Sequence, residues 1–460
     1  MAEPGKTLDL DGLLGPSAGR GARSDWRTTL PRLLREHGIR PSGAVHLGAC
    51  ADEDLVWYAS AGFGKVLLVA SSSTPRPSIP SGLVLLTADD AFLRDGRDAS
   101  SPHAWDALFA GLSEQPTDFV FFNSPHATEL PPLTGGFMAV RRRALVRGGE
   151  VGSDTRLGEQ GFSWAFVGAA SADGHADALY LRRPVVTMSD FGRNGRFGNQ
   201  LFQRAYLRLV ARRQGAILQL PLWAGTALFG TEDPPPSGQL LPVVKEETLD
   251  MAKRRLLSDQ PDAGFSGMDY RGYGMSHTSL FTSSKEQIRA EHVFDARLTA
   301  RFDAIMGPLL AGGKKLVVIH LRRGDYGYGQ FFRAPCAWYQ EWMSRQGFTP
   351  ATHLLYICSE DPGRYRARFA GFTVVTADDI GTPPQLSPYL DFLAMTRADM
   401  LAIANSSFSF FAAMLNSKAS DFVRPDAEQG GLVAFDPWGA EPVLDQKLSP
   451  EEHRRLKEID

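Results

Sequence analysis

From residue 314 onward, short apolar runs alternate with longer mixed segments. Residues 316–321, 354–358, 372–376 and 400–404 read as buried strands. Residues 338–345, 363–369, 389–396 and 407–416 read as the helices that follow them. Four strand–helix repeats in a row predict a parallel, doubly wound sheet with right-handed crossovers. Ligands bind such sheets outside the carboxyl ends of the strands. Polar residues gather at those ends here: His320 and Arg322, Ser359 to Asp361, Asp378 and Asp379, and Asn405 to Ser409.

Upstream, residues 184–188 predict another strand, followed by a glycine-rich loop. A helix comes next, with Leu201, Phe202, Ala205, Tyr206, Leu209 and Val210 on one stripe. Arg204, Arg208 and Arg212 lie on another face at four-residue spacing. Residues 240–310 read only as mixed helix and loop. Nearer the start, residues 44–48, 65–69 and 118–122 predict strands and 55–61 a helix, a βα arrangement of the Rossmann kind. The expected organisation is a flexible arm over 1–24, an α/β domain over 25–185, two further units over 186–312 and 313–440, and a tail over 441–460.

A chain of 460 residues exceeds one ordinary core, in line with several domains. The net charge of -3 argues against a general nucleic-acid binder. Cys50, Cys336 and Cys358 are isolated and read as reduced thiols of a cytosolic protein. The first 15 residues do not read as a signal peptide, and no apolar run is long enough to span a membrane. A cytoplasmic protein is expected, with only peripheral membrane contact left open and the oligomeric state undetermined. The ten histidines are scattered without ligand spacing, so no metal site and no cofactor are expected.

Three motifs carry the chemistry. The first is GRNGRFGNQ at 192–200, a glycine loop opening a helix. It is neither a GxGxxG dinucleotide loop nor a P-loop. The second is HLRRGDY at 320–326. Arg322 shares a side of its strand with His320, and its planar fork can grip two phosphate oxygens. The third is NSSFSFF at 405–411, with hydroxyls and free N–H groups at a helix start. Together they suit a nucleoside diphosphate. Each also has a plain architectural reading: helix entry for the loop, a turn-shaping Arg323–Asp325 pair, and capping by the serines.

The order and wording of these motifs resemble the GDP-fucose-dependent α-1,2-fucosyltransferases over residues 188–425. The family's GxxGNQxFQ is matched by Gly195, Gly198, Asn199, Gln200, Phe202 and Gln203. Its HxRRGDY is matched at 320–326, and its NSSFSWWGAWL by 405 onward with Phe410 and Phe411 in place of the paired Trp. The resemblance implies an inverting glycosyltransferase with a GT-B-like pair of Rossmann-like halves. GDP-fucose would be the donor and a glycan, through a galactose hydroxyl, the acceptor. Donor-binding residues would be Gly195, Gly198, Asn199, Gln200, Arg322, Asn405, Ser406, Ser407 and Ser409. Asp361 would read guanine, with Glu360 the alternative, and Asp391 matches a further acidic position. Arg322, Asp325 and His320 are the candidate catalytic residues, Asp325 being the candidate base.

The N-terminal stretch separately resembles FkbM-type methyltransferases. Residues 45–49 match their first strand and turn, and 124–135 a later motif. The acid expected after the second strand is absent from Ala70 to Ser73, and Ser124 stands where a later Asp is expected. This implies a methyltransferase-like domain that does not methylate. The rival expectations are a bifunctional enzyme with an active sugar methyltransferase, and a non-catalytic binding scaffold.

Overall fold

The computed structural model describes residues 8–15, 26–37, 43–47, 52–70, 77–89, 119–122, 138–147, 150–151, 163–167 and 175–181, and then 183–458 except 232, 247–263 and 276. It is an α/β structure with three sheets. The first part holds α1 (Leu10–Leu14), α2 (Trp26–Glu36), β1 (Gly43–Leu47), α3 (Asp52–Ser60), β2 (Lys65–Ala70), β3 (Val84–Asp89), β4 (Phe119–Phe122), β5 (Met138–Arg147), β6 (Glu150–Val151), β7 (Ser163–Val167) and β8 (His175–Leu181). Its strands run in the order β3-β2-β1-β4-β5-β8-β7, with β6 on β5. β1 to β5 are parallel, and β8 is antiparallel to both β5 and β7. Leu30, Leu34, Leu55, Tyr58, Phe63 and Leu179 fill its core.

The arm expected over residues 1–24 is in part a helix. Asp9 caps α1, and Leu10 is buried in the large core.

The middle part holds β9 (Val185–Thr187), α4 (Phe197–Arg213), β10 (Ile217–Gln219), α5 (Ala224–Phe229), β11 (Val243–Lys245), β12 (Met268–Arg271), α6 (Lys285–Ala290) and α7 (Ala296–Leu310). Arg297 of α7 pairs with Asp11, which fastens α1 here. The sheet order is β10-β9-β12-β11, all parallel. β11 and β12 lie in the stretch that showed no periodicity, because strands of three or four residues are too short to display one. The apolar stripe of α4 is buried as expected, but so is Arg204 on the other face. Arg204 is enclosed because Asp233 pairs with its Nε at 2.5 Å and Glu291 with Nη1 at 3.1 Å.

The last part holds β13 (Lys315–Leu321), α8 (Cys336–Arg345), β14 (His353–Ser359), α9 (Pro362–Arg366), β15 (Val374–Val375), α10 (Ser387–Arg397), β16 (Met400–Ala402), α11 (Ser407–Leu415), β17 (Asp421–Asp426), β18 (Gly431–Ala434) and α12 (Pro450–Glu458). The order is β15-β14-β13-β16-β17-β18, parallel except for β17 with β18. The chain moves outward from β13 to β15 and then returns to β16 on the other side. The topological switch point therefore falls between β13 and β16, where such sheets take ligands. α4, α10 and α11 share one core between the middle and last sheets, with Phe202 5.0 Å from Phe411 and Phe392 5.2 Å from Phe408 between ring centres. Among the described residues no helix is long and apolar enough to cross a membrane.

Candidate active site

The glycine loop turns between β9 and α4 with Gly192 at φ 84° and Gly195 at φ 89°, a region that other residues adopt at a cost. Gly198 serves a different purpose. A Cβ there would stand 2.4 Å from the backbone N of Phe408. The first turn of α4 thus lies directly on the first turn of α11. Asn199 takes advantage of this approach: its Oδ1 accepts from the Ser407 hydroxyl at 2.5 Å. Gln203 braces the loop by donating to the carbonyls of Asn194 at 3.1 Å and Gly272 at 3.0 Å. Gln200 is buried in the same turn.

The end of β13 arrives at this junction. Arg322 donates through Nη2 to Asp325 at 2.6 Å and through Nη1 to Glu360. The second oxygen of Asp325 pairs with Arg196 at 3.2 Å. Arg196, at the start of α4, therefore links the glycine loop to the HLRRGDY turn. No motif position singles it out beyond its place in the loop. The expected Arg323–Asp325 pair is not the arrangement found. Asp325 serves Arg322 and Arg196, while Arg323 is buried and donates to the Tyr365 hydroxyl at 2.8 Å. Glu360 accepts from the Arg323 backbone N–H at 2.9 Å, which ties β14 to the turn. Tyr326 donates to the Asn405 carbonyl at 2.9 Å and closes the link to β16.

His320 is 4% exposed and packs on Phe408 at 5.7 Å between ring centres. Burial, followed by the charges of Arg322 and Arg323, lowers its pKa to about 3. The ring is therefore neutral near pH 7, and its Nδ1 makes no hydrogen bond.

The 405–409 residues divide into two groups. Asn405 engages its amide with the carbonyls of Gln330 and Leu444 and with the N–H of Leu444. It latches the tail expected at 441–460 onto the loop after β13, so its side chain is committed to architecture. Ser409 is fully buried, its hydroxyl 3.4 Å from the carbonyls of Ala404 and Ser406. Phe410 and Phe411, in place of the paired Trp, are likewise core residues. Ser406, at the N-cap, is buried and makes no side-chain capping bond, while Ser407 meets Asn199 at the junction.

At β14, Asp361 is exposed, and no side-chain partner is found for it among the described residues. The structure thus separates the two acids weighed for guanine: Glu360 holds Arg322, and Asp361 is available. Asp391 sits within α10, where the Tyr356 hydroxyl donates to it at 3.1 Å and burial pushes its pKa well up. Asp379 caps a short turn and pairs with Arg366 at 2.6 Å. Among the described residues no group of three or more His, Cys, Asp or Glu is arranged to hold a metal ion. Cys336 and Cys358 are buried thiols, and Cys50 lies outside the described residues.

The site is thus an α/β strand-end cluster in which three separated motifs share one junction, dominated by guanidinium groups. With that geometry in place, the chain is similar to galactoside α-(1,2)-fucosyltransferases. Galactoside alpha-(1,2)-fucosyltransferase 1 of Homo sapiens is 25% identical over 279 residues, covering 54% of this chain and 71% of that protein. The Ateles belzebuth protein of the same name is 26% identical over 275 residues, with the same coverage. No family model matches the chain. Among solved structures, NodZ alpha-1,6-fucosyltransferase co-crystallised with GDP aligns with 15% identity and a TM-score of 0.37 over 55% of this chain and 98% of its own. An Arabidopsis thaliana FUT1 mutant in complex with GDP aligns with 10% identity and a TM-score of 0.38 over 55% of this chain and 73% of its own.

The contact at Gly198 yields a direct test. Gly198→Ala forces a backbone shift where two helix starts meet and should cost about 1–3 kcal/mol. Gly371→Ala, where a Cβ meets nothing, is the control. Thermal unfolding should show a lowered midpoint for the first variant and a much smaller change for the second. Equal midpoints would mean that the two helix starts do not meet as described.

Proposed function

We propose that this chain is an inverting glycosyltransferase that moves fucose from GDP-fucose to a glycan hydroxyl, α-1,2 to a terminal galactose. One observation carries the reading. Arg322, Arg196, Asn199 and Ser407 come from three separate motifs and meet beside a topological switch point. The similarity to galactoside α-(1,2)-fucosyltransferases supports the donor and the linkage. In this reading the middle and last sheets are two Rossmann-like halves facing across a donor cleft in the GT-B manner.

The reaction breaks the bond from fucose C1 to the diphosphate oxygen, and the electron pair leaves with GDP. The acceptor oxygen bonds to C1 from the opposite face and gives up its proton. Charge develops on the diphosphate, so preorganised cationic donors facing it lower the barrier. Arg322 supplies a planar fork for two oxygens, exchanging Glu360 and Asp325 for phosphate. Arg196, the Ser406 and Ser407 hydroxyls and the N-terminus of α11 add donors. Asp325, once released from Arg322, is the candidate base. The neutral His320 offers a hydrogen bond rather than a charge. Asp361 is the candidate acceptor for guanine N1–H and its 2-amino group. Metal independence and a cytoplasmic location belong to the same proposal.

Incubation with GDP-fucose and a panel of galactosides, read by mass spectrometry, should show addition of one deoxyhexose to a terminal galactose. Arg322→Lys keeps the charge but loses the fork. Its turnover should fall by about 3 kcal/mol of transition-state stabilisation, on the order of a hundredfold. Near-normal turnover in a folded Arg322→Lys protein would remove Arg322 from its assigned role. The unaltered protein should keep its rate in excess EDTA, whereas a collapse that manganese or magnesium restores would refute metal independence.

For residues 25–185 we propose a methyltransferase-like unit that does not methylate. Its supports are the central β1 flanked by parallel β2 and β4, and the missing carboxylates. Ser71 to Ser73 and residues 124–135 lie outside the described residues, so this rests on the sequence. A buried ribose without an acidic acceptor leaves its hydroxyls poorly paired. Calorimetric titration of the whole chain with S-adenosylmethionine should show no binding. A micromolar Kd, or methyl transfer to a glycan, would favour the bifunctional enzyme instead.

A further inference from the structure

A cavity of about 410 Å³ lies between the first part of the chain and the middle sheet, away from the strand-end cluster. Its walls come from α2, β7, α4, the start of β10, the loop after α5, and α6. Arg208, on α4, is ten residues beyond Gly198, which places the cavity about 15 Å along the helix from the proposed donor site.

The polar groups here are unevenly satisfied. Glu291 is shared by three arginines. Its Oε2 takes Arg204, while its Oε1 accepts from Arg212 at 3.0 Å and from Gln287 at 2.8 Å. Oε1 is therefore occupied, and Arg208 Nε stands 3.6 Å from it without a hydrogen bond. The other end of Arg208 reaches Glu36 at 3.3 Å. Arg212 is depressed below its usual pKa by burial first and by Arg208 second, as in a site crowded with cations.

Two neutral groups lining the cavity also lack partners. Thr231 is 8% exposed, and its hydroxyl makes no hydrogen bond. His37 is held neutral, with its pKa lowered to about 4, by burial first and then by Arg183. Its Nδ1 makes no hydrogen bond and can accept one when the neutral ring carries its proton on Nε2. Leu33, Ala165 and Phe229 provide apolar surface between these groups.

We propose that this cavity binds a small hydroxylated anion of the sugar-acid or sugar-phosphate class. The anionic group would lie on Arg212 and the Nε edge of Arg208. Ring hydroxyls would donate to His37 Nδ1 and bond with Thr231 Oγ1. The apolar residues would meet the face of the sugar ring. A monosaccharide-sized ligand fits the volume, and three unsatisfied buried groups gain partners together, which offsets the cost of leaving them unpaired.

The test is calorimetric titration of the full chain with glucuronate, glucose 6-phosphate, inorganic phosphate and galactose. At least one sugar anion should saturate at submillimolar concentration, more tightly than inorganic phosphate, while neutral galactose should not bind. The first two probes distinguish carboxylate from phosphate as the preferred anion. Arg212→Gln should weaken the binding about tenfold, the loss of one charge-assisted contact. Thr231→Val removes only a hydroxyl, so it serves as the test should Arg212→Gln disturb folding. It should weaken the sugar anion and leave inorganic phosphate unchanged. The proposal fails if neither sugar anion saturates by millimolar concentration, if galactose or inorganic phosphate binds as tightly, or if Thr231→Val leaves the sugar anion's affinity unchanged.

Discussion

The close contact between the first turns of α4 and α11 is the constraint on which the rest of the site depends. Two helix starts cannot approach so nearly with a side chain between them, and Gly198 removes it. Asn199 then meets Ser407, and Arg196 reaches Asp325. Both helix N-termini present unsatisfied N–H groups and partial positive charge to the same place. An anion entering there would meet two helix ends and two guanidiniums. The phenylalanines behind the contact make it rigid, with Phe197 packed on Phe408 and Phe392, and Phe202 packed on Phe411.

Charge is neutralised internally in two different ways. At the strand ends, Arg322 lies between Glu360 and Asp325, and both acids retain some exposure. Pairs of that kind can exchange partners, because water can receive the displaced carboxylate. Arg204 and Asp233 on the far side of α4 are almost fully buried. Breaking such a pair leaves an unpaired buried charge, which is costly. One helix thus carries an exchangeable ionic network at its start and a fixed one further along. The fixed network also joins the first part of the chain to the middle sheet, through Arg208 and Glu36.

Much of the C-terminal architecture was legible in the sequence. β13, β14, β16, α8, α10 and α11 fall within a few residues of the expected elements, because buried parallel strands read as continuous apolar runs. Strands β5 to β8 were not legible. β5 carries Arg141 to Arg143 in its middle, and β7 and β8 form an antiparallel edge whose register shifts between Trp164 and Phe166. β15 shrinks to two residues because Thr376 starts a capped turn instead of extending the strand.

By itself the sequence determined which residues could carry the chemistry. Motif spacing fixed the loop, the two arginines and the serine-rich helix start, since those features depend on neighbours along the chain. Which of them face the junction was decided only by tertiary structure. Asn405 and Ser409 lie within the same motif as Ser407, yet one latches the tail and the other is buried in its own turn. Arg196 and Glu360 acquired their places through partners in other motifs. The cavity beside Arg208 depends on side chains from positions as distant as 37, 231 and 291. Local propensity sets the direction of a strand or helix, but the partner of a charged side chain is chosen by which elements the core brings together.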